Sequence, residues 1–517
     1  MAGVLALVSD LRVTPVPNAR AFIGGPYALL LGASTDLGPS HRDDAQLTVA
    51  LHDSTRPEAL VGWAQGQGLS VRWRPGDNWA IVEGAAENVG SAFGVQVHDY
   101  RGRRGQVFYA SPHQPSVPSA LSGEVAEVGR ILSYTPHHTS QPSILPLDVP
   151  DRGLTPDALL NTYNANRLAA QGYTGKGTTI VIFAFTGYDQ ADLDTFATTF
   201  GLPKFTPILV GGQPSEPSGE TPMDLQLAHA IAPDAQKVVV NARPTVEGDG
   251  GYEKIGQMLE ATDRQFPGAV WSFSIGWGCD KLLTAADLAP VRSALAAALA
   301  HGTTAFNATG DLAGLECKGG QDWSSPPGSA DVGLDSVASL PETTAVGGTT
   351  LSTDANGAWL TEQAWFDVPL SQGTGGGVSA LFDRPEWQRG VSPDQDTGKR
   401  LTPDVAAVAD PFTGVQIIFK QQQVVGGGTS QSAPIWAGLT AVMNQYLIAN
   451  GGRAIGDFNP LLYRIASGAM LPAFRDVTLG GNAVHSAAPG YDLVTGLGTP
   501  DVDNLVQNLL VLQKASE

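Results

Sequence analysis

The chain has 517 residues, 30 of them basic and 50 acidic, for a formal net charge of −20. With 42% hydrophobic and 15% charged residues, it has too much apolar material for a disordered chain and too few basic groups for a protein that grips a phosphate backbone. No apolar run approaches the ~20 residues of a membrane-spanning helix, and two cysteines cannot build a disulfide-dense scaffold.

At about 150 residues per domain, the length allows two to four domains. Met1–Val8 is apolar, but no basic segment precedes it and Asp10 and Arg12 follow at once, so it makes a poor secretory signal. Tyr27–Ser34 (YALLLGAS) and Gln46–His52 (QLTVALH) read as strands from their apolar and β-branched content. Arg56–Gln65 reads as a helix, with Pro57 in its first turn and apolar residues at helical spacing. Ser70–Trp73, Asn78–Val82 and Gln106–Ala110 read as further strands, and Ala86–Phe93 as a second helix. Strands interleaved with two helices predict a small α+β unit of ferredoxin-like type. Nothing in it looks catalytic.

Thr139–Asp157 (TSQPSILPLDVPDRGLTPD) has four prolines and few helix signals, the composition of a linker. Residues 1–150 hold 10 Arg, no Lys and 13 acidic residues, against 20 basic and 37 acidic ones in the remainder. Six of the nine histidines (His41, His52, His98, His113, His137, His138) also precede the linker. The predicted division is 1–138, a linker at 139–157, and 158–517. In the last part the apolar runs Thr179–Phe185, Lys237–Val240, Ala269–Ile275, Thr303–Asn307 and Thr344–Gly347 alternate with helical stretches such as Val291–His301. That pattern predicts an α/β fold, a parallel sheet with helices on both faces. Ligands of such sheets sit at the carboxyl ends of the strands.

The strongest local signal is GGGTSQSAP (426–434) ahead of a helical IWAGLTAVMNQYL. Glycines allow a sharp turn, and Ser430 then stands at a helix N-terminus where its own N–H can stabilise an oxyanion. The bland alternative is an N-cap serine. Among possible bases, His229 sits in an apolar helix and reads as packing, while His301 falls at a helix C-terminus, where it favours the dipole. Glu220 and Asp224 in GETPMD are four residues apart, on one helix face. Two acids so close share a proton, and one apparent pKa rises; otherwise they are a solvated acidic face. Asp311 in FNATGDLAG follows a buried strand and, if protonated, can donate to an oxyanion; otherwise it is a turn aspartate. Asp476 and Asp492 lie in glycine-rich segments with free carbonyls, an inventory suited to Ca²⁺, or else to two Asx-turns.

Together these strings resemble the sedolisin family of serine-carboxyl peptidases with a kumamolisin-type activation domain in front. GTSQSAP is similar to the nucleophile motif and GETPMD to the Glu-x-x-x-Asp helix. SFSIGWG and ATGDLAG resemble the substrate-wall strand and the oxyanion aspartate, with LTPDVAAVADPFTG and RDVTLGGN…PGYDLVTGLGTP completing the set. The resemblance implies a subtilisin-like sheet preceded by an inhibitory ferredoxin-like prodomain removed near the linker. It makes Ser430 the nucleophile, Glu220 the base, Asp224 its orienting partner, and Asp311 the side-chain half of the oxyanion hole. It also implies Trp277 beside the substrate cleft, and Ca²⁺ held by Asp476, Asp492 and the carbonyls of Val477, Ala488 and Gly490. Two departures stand out. Some relatives have a further glutamate after the first strand of the catalytic part, where this chain reads IVIFAFTGYD, with Asp189 its first carboxylate. The family also often has Ser where this chain has Gly276 and Gly427.

The expected function is an acid-acting endopeptidase zymogen that cleaves proteins or peptides, with its own prodomain as inhibitor. It is expected to be secreted and monomeric, with no nucleic-acid or membrane partner. Two alternatives remain open: a tripeptidyl-type exopeptidase on the same scaffold, and a catalytically silent calcium-stabilised binding protein. The six histidines before the linker, charging near pH ~6.5, offer an acid trigger for prodomain release. Cys279 and Cys317 are either bridged or two free thiols.

Overall fold

In a computed structural model of the chain, the structure describes residues 21–139, 145–146, 153–214, 218–318, 328–368, 372–391, 397–468 and 470–515. The Met1–Val8 segment and most of the predicted linker lie outside them.

In the first region the strands Ala45–Leu51, Ser70–Arg72, Trp79–Gly84 and Val125–Val128 form one antiparallel sheet, in which the second strand lies beside the third, the third beside the first and the first beside the fourth. With the helices Glu58–Gly66 and Ala86–Phe93 as connections, this is the ferredoxin-like arrangement read from the sequence. Residues along Ala45–Leu51 alternate between buried and half-buried. The inward Leu47, Val49 and Leu51 pack with Leu60, Ala64, Val89 and Phe93, each large apolar side chain contributing about 1.5–3 kcal/mol. Thr35–Pro39, His98–Arg101 and Val107–Ala110 make a second antiparallel sheet.

The expected strand at Tyr27–Ser34 is instead the helix Gly25–Gly32. An unbroken apolar run carries no period to separate helix from strand. Pro26 presets a helical φ at the start. Tertiary contacts decide the rest: the Tyr27 hydroxyl donates to the Ser111 carbonyl at 2.7 Å, and the Arg130 guanidinium lies 4.9 Å over its ring.

The second region is built on a large sheet ordered Ile208–Val210, Gln236–Asn241, Thr179–Ala184, Val270–Phe273, Thr304–Ala308, Thr344–Thr353. These pairings are parallel, as is that of Val405–Val408 with Thr344–Thr353, while Trp359–Ala364 joins antiparallel. Both faces are covered, which is why the strands read as continuous apolar runs. Ile180 and Ile182 face the helices Glu220–Ile231 and Thr429–Ala449. Val181 and Phe183 face the helices Gly251–Gln265 and Ala289–Ala300. Cys279 and Cys317 are joined in a disulfide. No described helix is long and apolar enough to cross a membrane.

The first region rests on the second. Arg72 pairs with Glu253 (2.5 and 2.8 Å) and Arg74 with Glu260 (2.8 and 2.7 Å). Asp287 accepts from the Arg130 N–H at 3.0 Å. The chain then leaves as an extended segment whose His138–Thr139 pairs antiparallel with Ile275–Gly276. The histidines are not gathered at this seam. His52 faces the Ser122 carbonyl, His98 the Asp36 carboxylate, and His113 lies tilted against Phe22, all within the first region. His41 is exposed. His137 is placed across the seam, its ring edge-on to Phe185, beside His138, whose backbone pairs with Gly276.

Candidate active site

Every residue of the helix Glu220–Ile231 is buried, and Glu220 and Asp224 are each 1% exposed. A solvated acidic face is therefore ruled out. An uncompensated charge is costly in such a place, so burial holds both carboxyls well above their usual pKa. The mutual proximity of the acids, with Asp311 beyond, pushes Glu220 further in the same direction. The Ser274 hydroxyl counters this shift at Asp224, while neither Glu220 oxygen has a hydrogen-bond partner among the described residues.

Ser274, on the wall segment that follows Val270–Phe273, ties the parts together. Its Oγ lies 2.9 Å from Asp224 Oδ1 and 3.0 Å from the Ser430 carbonyl. Ser274 thus donates towards the Asp224 carboxyl and faces the Ser430 carbonyl, which links the acid helix to the helix that carries the serine. The Ser430 carbonyl is free to accept because the residue four positions on is Pro434, inside the helix Thr429–Ala449, which has no N–H to return.

Ser430 is fully buried in the first turn of that helix, and its Oγ donates to the Ser274 carbonyl at 3.1 Å. Its N–H belongs to the unpaired donors of a helix start, and no described group accepts from it. Asp311 stands just beyond the strand Thr304–Ala308. Its Oδ1 accepts from the Thr429 N–H and hydroxyl, both at 2.8 Å, and that hydroxyl accepts from the Gly310 N–H at 3.1 Å. The second Asp311 oxygen lies against Gly428, where a Cβ would come within 2.7 Å of it and φ is +89°. Only glycine fits there. Ser430, Glu220, Asp224 and Asp311 thus converge around the start of one helix.

Trp277 is fully buried beyond the segment paired by His138–Thr139, with its N–H on Asp335 at 2.9 Å and its ring against Phe185 and Phe273. His229 packs, stacked 3.9 Å from Phe205, and His301 pairs with Asp263 at a helix end. Asp189 caps the helix Gln190–Phe200. Asp476 accepts from the Gly490 N–H at 2.8 Å and Asp492 from the Ala488 N–H at 3.0 Å, so two carboxylates clamp one loop. No described donor opposes the carbonyls of Val477, Ala488 or Gly490. This all-oxygen donor set fits a hard cation. The Cys279, Asp280 and Cys317 cluster does not fit a metal, since its sulfurs are bonded to each other.

Sequence reasoning missed Ser274, Thr429 and Glu316. Ser274 lies inside SFSIGWG, but its two partners come from elements 50 and 156 residues away, and no local pattern carries that distance.

The activation domain of pro-kumamolisin, as a family model, matches residues 41–133. Kumamolisin of Bacillus sp. (strain MN-32) is 31% identical over 481 residues, covering 87% of this chain and 82% of the relative. Sedolisin of Pseudomonas sp. (strain 101) is 28% identical over 456 residues, 82% of this chain and 73% of its own. Tripeptidyl-peptidase 1 of Dictyostelium discoideum is 29% identical over 384 residues, 70% of this chain and 59% of its own. Among solved structures, Pseudomonas sedolisin, a serine-carboxyl proteinase complexed with two molecules of pseudo-iodotyrostatin, matches with a TM-score of 0.58 at 26% identity, over 69% of this chain and 98% of that one.

Proposed function

We propose that this chain, which belongs to the sedolisin family of serine-carboxyl peptidases, is the self-inhibited zymogen of an acid-acting endopeptidase. It is a hydrolase of peptide bonds with a kumamolisin-type activation domain. The finer reading divides it into an inhibitory prodomain at 1–138, a processed linker at 139–157 and the peptidase domain at 158–517, secreted and working as a monomer. It is carried by one observation: the acids Glu220 and Asp224 are buried beside a helix-start serine that has an unpaired N–H.

In this reading the Ser430 hydroxyl attacks the scissile carbonyl carbon while its proton passes to Glu220. The Asp224 acid orients Glu220 and keeps the pair from holding two charges. The new oxyanion accepts from the Ser430 N–H and from the protonated Asp311. Preorganised donors of this kind are each worth about 10²–10³ in rate. Collapse of the tetrahedral adduct expels the amine, which takes the proton from Glu220, and an acyl-Ser430 ester remains. Water hydrolyses the ester with Glu220 again as base. Glu220 can accept a proton while Asp224 keeps one, a state populated in acid. Asp476, Asp492 and the carbonyls of Val477, Ala488 and Gly490 would hold Ca²⁺, which would supply cross-linking and charge neutralisation to the 488–492 loop.

Endopeptidase action is favoured over tripeptide release because the segment paired with Ile275–Gly276 is the continuation of a long folded region, and so needs no free amino terminus nearby. Ser430→Ala is expected to abolish self-cleavage and proteolysis near pH ~4, where ordinary carboxylates are half-protonated; retained cleavage overturns the assignment. Sizing the products of a long denatured substrate separates the two modes, since uniform tripeptides would mean the exopeptidase.

A further inference from the structure

We propose that Glu316 is a positioning residue of the oxyanion loop, a buried acid that must stay neutral for Asp311 to be held in place. The inference deepens the serine-carboxyl reading above and rests on it. Five residues after Asp311, the chain folds back through the turn Glu316–Lys318 and tucks the Glu316 carboxyl beneath Gly310–Leu312. Its Oε1 accepts from the Leu312 N–H at 3.0 Å, and the residue is 3% exposed. Its Oε2 is buried with no hydrogen-bond partner among the described residues.

The surrounding backbone is shaped around this group. A Cβ on Gly310 would lie 2.4 Å from Oε2, and one on Gly375 3.1 Å from Oε1. Gly375 and Gly373 donate to the carbonyls of Gly310 and Asp311, at 2.8 and 2.9 Å, so the carboxyl sits in a cradle between the 310–312 and 373–375 segments. The neighbouring Cys317 is bonded to Cys279, which follows the wall segment, and this pins the turn.

The charges acting on Glu316 are both acidic: Asp311 on the loop, and Asp335, which accepts from the Trp277, Val337 and Ala338 N–H groups and has Asp280 behind it. Lys318 is on the same turn, and Lys281, across the disulfide, donates to the Val332 carbonyl. Neither forms an ion pair with Glu316. An unpaired carboxylate oxygen cannot be buried there in charged form. Burial, with Asp311 and Asp335 adding to it, raises the Glu316 pKa well above its usual 4.5. The folded state therefore binds more protons than the unfolded one above pH 4.5, so the loop is fully supported in acid and loses support as pH rises.

The test uses the full chain with Glu316→Gln and Glu316→Ala. Gln keeps the shape of the neutral acid but cannot ionise, so the alkaline limb of kcat and of the melting temperature should move to higher pH. Ala removes the Leu312 contact and should lower kcat by about 10–100-fold with little change in KM, the scale of a small misplacement. The melting profile is also measured in the Ser430→Ala background, which reads Glu316 ionisation without catalysis. If Ser430→Ala still cleaves, the nucleophile assignment falls. If Glu316→Gln leaves both pH profiles where wild type has them, or Glu316→Ala keeps full kcat, the role of Glu316 falls.

Discussion

The two regions spend their folding free energy differently. Among the described residues of the first region the buried polar side chains are Ser40, Ser111, Ser133 and Thr135, with no charged group. The second region buries Glu220, Asp224, Asp280, Asp287, Asp311, Glu316, Asp335, Glu362, Arg400 and Asp404, among others. Some of these are compensated, as in the Arg400–Asp404 pair, closed also by Tyr463. Near Ser430, Asp224 and Asp311 are held instead by hydroxyl and backbone N–H donors. A region that only has to fold and dock needs an apolar core, whereas a catalytic region accepts buried acids such as Glu220 and Asp224, whose raised pKa values its chemistry can use.

The largest effect should come from Glu220→Gln or Asp224→Asn, which keep the shape but remove the shared proton. Proteolysis should fall by about 10³-fold or more. Both pKa values are raised in the folded state, so wild-type stability drops as pH climbs above the ordinary values of 3.8 and 4.5. In a Ser430→Ala background the neutral variants should therefore melt higher at neutral pH and about equally in acid. A variant that loses stability at neutral pH would break the contrast between the regions.

Leu60→Ala probes the other region. Leu60 is fully buried in the apolar core, so the cost should be about 2–5 kcal/mol. It should appear as early melting of the first region and premature proteolysis, without the pH dependence seen at Glu220. A pH-dependent loss there would erase the comparison.

The smallest effect concerns the seam. Burial, with Arg243 and Arg104 adding to it, lowers the His137 pKa from 6.5. The docked state therefore binds fewer protons than the released one just below pH 6.5, and docking weakens as pH falls. His137→Gln should move the onset of self-processing down by roughly 0.5 pH unit, about 0.7 kcal/mol. Following intact mass against pH reads this directly, and an unmoved onset returns the trigger to other groups. Of the other histidines before the linker, His52, His98 and His113 find partners inside their own region, so they act on that region itself and not directly on the seam.

Local spacing was enough for much of the fold. Alternation in Ala45–Leu51, continuous apolar runs such as Thr179–Ala184, and the four-residue gap between Glu220 and Asp224 all become distances once strand or helix geometry applies. The run at Tyr27–Ser34 misled because it has no period, and the contacts that made it helical come from Ser111 and Arg130. What gathers Asp224, Ser274, Asp311 and Ser430 is the order of strands in the sheet, which sequence order does not express. The resemblance to sedolisins named three of these four residues. Ser274 and Glu316 emerged only from the folded chain, because whether a polar side chain is buried, and beside what, depends on elements far away in sequence.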